Sequence, residues 1–156
     1  MMTSQRGFTL LISILLSTVA VTLGVALIDI AYKQLILASS AKHSQYGFYA
    51  ADSAMECALY WDQKFNGFSF LSPMPASSIK CQDIAVTSYA SAYYGSGATR
   101  HRRTTFNVPC PGTSQSNGKV SVYKYESGDT AIYANGFSTC VADDQRRIER
   151  GLKVFY

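Results

Sequence analysis

Charge is scarce in this sequence: only 15% of its 156 residues are Asp, Glu, Lys or Arg, and the formal net charge is +4. So mild an excess does not by itself indicate a nucleic-acid partner. Glutamate is confined to Glu56, Glu126 and Glu149, and the only histidines are His43 and His101. Neither histidine lies in a local nucleophile or metal signature such as G-x-S-x-G or H-E-x-x-H. His43 reads as a solvent-facing helix residue. Cysteine is also sparse, and the successive spacings of Cys57, Cys81, Cys110 and Cys140 are 24, 29 and 30. No C-x-x-C knuckle exists among them, which speaks against a zinc site. We therefore expect no enzyme, no catalytic residue, no metal and no cofactor.

Proline is missing from residues 29–63 and charge is missing from Phe8–Ile28, and these two absences define the first part of the chain. As a helix, the 21 uncharged residues would extend ~31 Å, which matches a ~30 Å hydrocarbon core. A secretory h-region is shorter, about 7–15 residues, and ends in a small-residue cleavage site. Here the helical pattern continues instead. Ile30, Leu35, Leu37, Ala38, Ala41, Phe48, Ala51, Met55, Ala58, Leu59 and Trp61 recur at the spacings of an amphipathic helix. The reading is one helix over residues 8–63, apolar all round at 8–28 and apolar along one stripe at 29–63. Asp29 and Lys33, four apart at the exit from the apolar run, are placed to pair along the helix. Arg6 is the only charge before the run and favours an N-terminus on the cytoplasmic side.

An even number of cysteines downstream of a membrane-targeting segment favours two disulfides in an oxidising compartment. Of three possible connectivities, we expect the sequential one, Cys57–Cys81 and Cys110–Cys140. Each bridge would stabilise the fold by roughly 3–4 kcal/mol in the chain-entropy picture.

After Trp61 the character changes. Turn dipeptides and two prolines in "NGFSFLSPMPASS" (66–78) require the helix to end before them. Residues 84–103 read as a strand or ordered loop followed by an exposed turn at "GSG". The segments 103–108 and 119–125 alternate apolar and polar residues as strands do, and "ESGD" (126–129) turns the chain into 130–137. In the last segment Ile148, Leu152, Val154 and Tyr156 share a face at period two. The fold class is α+β: a long N-terminal helix, transmembrane in its first third, packed by a C-terminal antiparallel sheet of three to five strands. The domain reading is a leader at 1–7, a membrane helix at 8–28, its amphipathic continuation at 29–63, and a globular domain with a variable loop region at 64–156.

The opening "MMTSQRG" followed by "FTLLISILLSTVAVTLGV" resembles the class III signal of type IV pilins and type II secretion pseudopilins. "FYAADSAMECALYW" (48–61) is similar to the corresponding segment of minor pilins. The resemblance covers the first 60 residues or so; the remainder matches only in style. It implies a pilin-like fold and a prokaryotic source. It also implies cleavage by a prepilin peptidase between Gly7 and Phe8, with N-methylation of Phe8. The retained segment would anchor the subunit in the inner membrane, N-terminus in, as a single pass. From there the subunit would pass, at an inner-membrane assembly platform, into an extracellular filament of other pilin subunits. One position departs from the family pattern. Members usually carry a glutamate at the fifth mature residue, where the carboxylate pairs with a neighbour's N-terminal amine; here that position is Ile12. An ionised group in an apolar bundle costs much unless paired, so Ile12 removes both that cost and the register it enforces. This points to a minor subunit.

The remaining candidate is basic and aromatic: Arg100, Arg102 and Arg103 beside Tyr93 and Tyr94. Arginines neutralise phosphates and tyrosines stack on exposed bases, so loop 89–103 would suit DNA or adhesive contacts in a minor pilin. The plainer reading is an exposed loop whose charges aid solubility or meet a neighbouring subunit, and it is preferred here. A third alternative is a single-pass membrane protein with a disulfide-bonded extracellular domain and no filament.

Overall fold

A computed structural model of the chain describes residues 5–112 and 115–156. Most of the expected leader, residues 1–4, lies outside the described residues. Helix α1 runs from Gln5 to Phe65, and five strands after it form an antiparallel sheet. The arrangement is α+β. The chain divides into two compact units, Met1–Ser40 and Ala41–Tyr156.

In the first unit every described residue is helical, and the large apolar side chains from Phe8 to Leu37 are exposed, between 39% at Ile12 and 71% at Ile28. This helix is long and apolar enough to cross a membrane by length and composition. Four of its hydroxyls are satisfied within the helix: Ser13, Ser17, Thr18 and Thr22 each donate to the carbonyl three residues back, at 2.9 Å. These four side chains therefore need no water, as hydrocarbon surroundings require. The first ion pair on the helix is Asp29–Lys33, at 3.7 Å.

In the second unit, α1 turns a stripe of small residues toward the sheet. Ala51, Ala54 and Ala58 are fully buried, and the absence of bulk lets the backbones approach closely. The approach is closest at Gly136, where a Cβ would overlap the backbone of Gly47, Ala50 and Ala51. The helix ends at Asn66, which takes the left-handed conformation (φ 49°) that Asn tolerates better than most residues. Asn66 and Gly67 then donate their amides to the carbonyls of Asp62 and Trp61, at 2.9 and 2.8 Å, satisfying acceptors of the last turn.

The following segment is pinned back on the helix. Cys57 is bridged to Cys81, and Trp61 Nε1 donates to the Lys80 carbonyl at 2.9 Å. Phe68, fully buried, stacks on Phe106 with centroids 5.5 Å apart. Two short strands, β1 (Lys80–Cys81) and β2 (Ile84–Ala85), close this segment. The main sheet runs β3 (Thr87–Tyr94), β4 (His101–Pro109), β5 (Ser116–Tyr125), β6 (Thr130–Phe137) and β7 (Glu149–Phe155) in sequential order. The alternation of side chains assigns the faces. Thr104, Phe106, Val108, Val120, Val122, Ile132 and Ala134 are buried toward the helix. The second disulfide joins Cys110 after β4 to Cys140 after β6, so the sequential connectivity is the one present.

Two expectations change in detail. The helix extends to Phe65 rather than 63. The second half of the helix lies in the same compact unit as the sheet, Ala41–Tyr156. Residues 89–103 are a β3–β4 hairpin rather than a loop; only residues 95–100 connect the two strands.

Candidate functional site

Strand alternation divides the basic and aromatic set between the two sides of the sheet. Tyr93 pairs with Arg102 and Tyr94 with His101, so the members of each pair share a face and the pairs lie on opposite ones. Arg102 shares the parity of Thr104 and Phe106 and turns toward the helix side. Its guanidinium sits 4.1 Å from the Tyr93 ring centroid and donates to the Leu71 carbonyl at 3.3 Å. The Tyr93 hydroxyl donates to the Phe70 carbonyl at 2.8 Å. Arg100, in the connection, lies over Tyr93 and Phe70 and pairs with Glu126 at 3.9 Å. These three residues, Tyr93, Arg100 and Arg102, hold the 66–72 segment against the edge of the sheet. Their donors and ring faces are largely occupied by the protein itself.

Tyr94, His101 and Arg103 face the other way, away from the helix. His101 lies parallel to Tyr94 with centroids 6.0 Å apart, and its ring also meets Tyr123 and Tyr125 at 5.6 and 5.4 Å. Tyr123 meets Tyr133 edge to face at 5.4 Å. Arg103 lies over Tyr123 at 5.5 Å and Lys153 over Tyr133 at 5.0 Å. A hydrogen bond and charge coupling to Tyr133 raise the Lys153 pKa. The result is a continuous aromatic and cationic row across β3 to β7. Sequence reading found Tyr94 and Arg103 but missed Tyr123, Tyr125, Tyr133 and Lys153. The signal was there in the alternation of 119–125 and 130–137, once the register was known.

A buried polar cluster was also missed. Asp62, 4% exposed, accepts from Lys124 Nζ at 2.8 Å and from the Tyr156 hydroxyl at 2.7 Å. It ties the last turn of α1 to β5 and to the residue after β7. Burial first, and then hydrogen bonding and proximity to the Asp62 carboxylate, push the Tyr156 phenol well above its ordinary pKa. Burial likewise raises Tyr89, whose hydroxyl donates to the Met74 carbonyl at 2.9 Å. His43 corrects another expectation: it is half-buried rather than solvent-facing, and its enclosed Nδ1 has no hydrogen-bond partner among the described residues.

Phe8 is helical and exposed, and Gly7 falls within the same helix. Among the described residues no cluster of three His, Cys, Asp or Glu side chains is placed to hold a metal. Compared with known proteins, the chain matches no family model, no curated protein and no solved structure.

Proposed function

We propose that the chain is a type IV pilin-like structural subunit, made as a prepilin, cut between Gly7 and Phe8, N-methylated at Phe8, and assembled through its apolar helix. The observation that carries this reading is α1. Its charge-free part exposes its large apolar side chains and satisfies the hydroxyls of Ser13, Ser17, Thr18 and Thr22 internally, while its later turns supply one wall of a disulfide-bonded domain. A helix that only anchored a domain would need the first property alone. The same surface serves twice in an assembling subunit, facing lipid before extraction and neighbouring apolar helices afterwards.

The disulfides support placing the domain outside the cytoplasm. Prepilin peptidase and the inner-membrane platform are the partners this route requires. Ile12 fits a minor subunit, because it leaves no buried carboxylate to pair with a neighbour's N-terminal amine.

The test is incorporation. Filaments sheared from cells and sedimented should contain the wild-type chain, whereas a Gly7→Leu variant should stay unprocessed in the membrane fraction. Wild-type chain that remains in the membrane while its co-expressed filament forms normally would oppose the reading.

A further inference from the structure

The sheet face turned away from α1 has a composition that filament assembly does not require. Its register sets Arg103 opposite Tyr123, Thr105 opposite Ser121, Ser121 opposite Tyr133, and Tyr133 opposite Lys153. One row further along, Asn107 faces Lys119 and Lys119 faces Asn135. The face therefore carries tyrosine hydroxyls, small hydroxyls and amides, with cations set among them. Glu149 is the only carboxylate in the five strands, and Asn135 Nδ2 donates to it. The imbalance of charge is local and positive.

Two observations decide what such a face takes. Arg103 and Lys153 lie over the rings of Tyr123 and Tyr133, and His101 lies parallel to Tyr94. The rings are thus engaged by the protein's own groups, which opposes base stacking as the basis of binding. The cations are also far apart. Arg103 and Lys153 stand three strands from each other, roughly 14 Å at the spacing of a sheet. A nucleic-acid strand carries a charge about every 3.4 Å and would find too few partners. A polymer rich in hydroxyls, with carboxylates at wider intervals, matches both features.

Beside Arg103, the small side chains of Ala90 and Ala92 leave a depression bounded by Tyr94, Thr105 and Lys119, with a volume of about 230 Å³. That is below the ~300–1,000 Å³ of small-molecule sites, so it suits one unit of a polymer rather than an entire ligand.

We propose that this outer face binds an extended acidic polysaccharide. Arg103, Lys119 and Lys153 pair with its carboxylates, while Thr105, Ser121 and the tyrosine hydroxyls hydrogen-bond the sugar hydroxyls. The inference does not depend on filament assembly, since it concerns the folded domain of one chain.

The experiment uses the full chain in a polyoxyethylene detergent, passed over immobilised hyaluronate, which carries a carboxylate on alternate sugars, neutral dextran and oligodeoxythymidylate at equal ionic strength. Retention should be strongest on hyaluronate and should fall as salt rises. The double variant Arg103→Ser/Lys153→Ser should weaken it roughly five- to tenfold. Arg100→Ala, which alters the inward cluster, should leave it unchanged. Lys153→Ser alone, at an exposed position, should give a smaller loss in the same direction and guards against a folding defect in the double variant. Equal retention on dextran, tighter retention on the oligonucleotide, or no change in either Lys153 variant would overturn the proposal.

Discussion

Asp62 shows how one residue can join three elements. Its carboxylate is buried and accepts from both Lys124 and Tyr156. Removing it leaves an ammonium and a phenol with no anion between them. Asp62→Ala should therefore destabilise the domain by roughly 3–5 kcal/mol, the range expected for breaking a buried pair, as measured by denaturant unfolding with the disulfides intact. Tyr156 adds a pH signature. Its pKa is raised in the folded state, as is that of Tyr89, so their protonated forms stabilise the fold. That contribution is complete below the ordinary tyrosine value of about 10 and is lost as pH rises through the higher folded values. Melting temperature should hold steady up to about pH 10 and then fall, and Tyr156→Phe should make the fall shallower. A decline as steep in the variant as in the wild type would remove Tyr156 from the explanation.

At the scale of elements, the helix and sheet meet through small residues. Gly136 lies where any side chain would enter the α1 backbone, so Gly136→Ala should cost at least as much as a typical over-packed core position, about 1–3 kcal/mol. An unchanged unfolding midpoint would mean that helix and strand meet less closely than described. The loop after the helix is held by Phe68 and by the Cys57–Cys81 bridge. Phe68→Ala should cost about 3–5 kcal/mol, and replacing both cysteines by serine about 3 kcal/mol. Much of this level was legible beforehand. Period three to four gave α1, period two gave β4 to β7, and the "NG" at 66–67 marked the helix end. What was not legible came from long-range packing. Phe68 looks like any loop aromatic until it meets Phe106, 38 positions on. The basic cluster reads as one patch along the chain, yet strand alternation sends Arg102 and Arg103 to opposite faces. The outer aromatic row exists only once strand order and register are fixed.

For the molecule as a whole, the decisive feature is a helix with two kinds of surface. Where all sides are apolar, a charge must be costly. An Asp near the centre of a membrane helix costs about 2.5–3.5 kcal/mol on insertion scales. The double variant Leu16→Asp/Val19→Asp should accordingly shift the chain from the membrane to the soluble fraction under carbonate extraction, and retention at the wild-type level would argue that this segment is not the anchor. Insertion alone, however, does not distinguish an anchored domain from an assembling subunit. The mass of the mature N-terminal peptide does so most directly. The expected mature chain has lost residues 1–7 and begins at Phe8 carrying one added methyl group. A mature chain that retains Arg6 and Gly7 ahead of an unmodified Phe8 would contradict it.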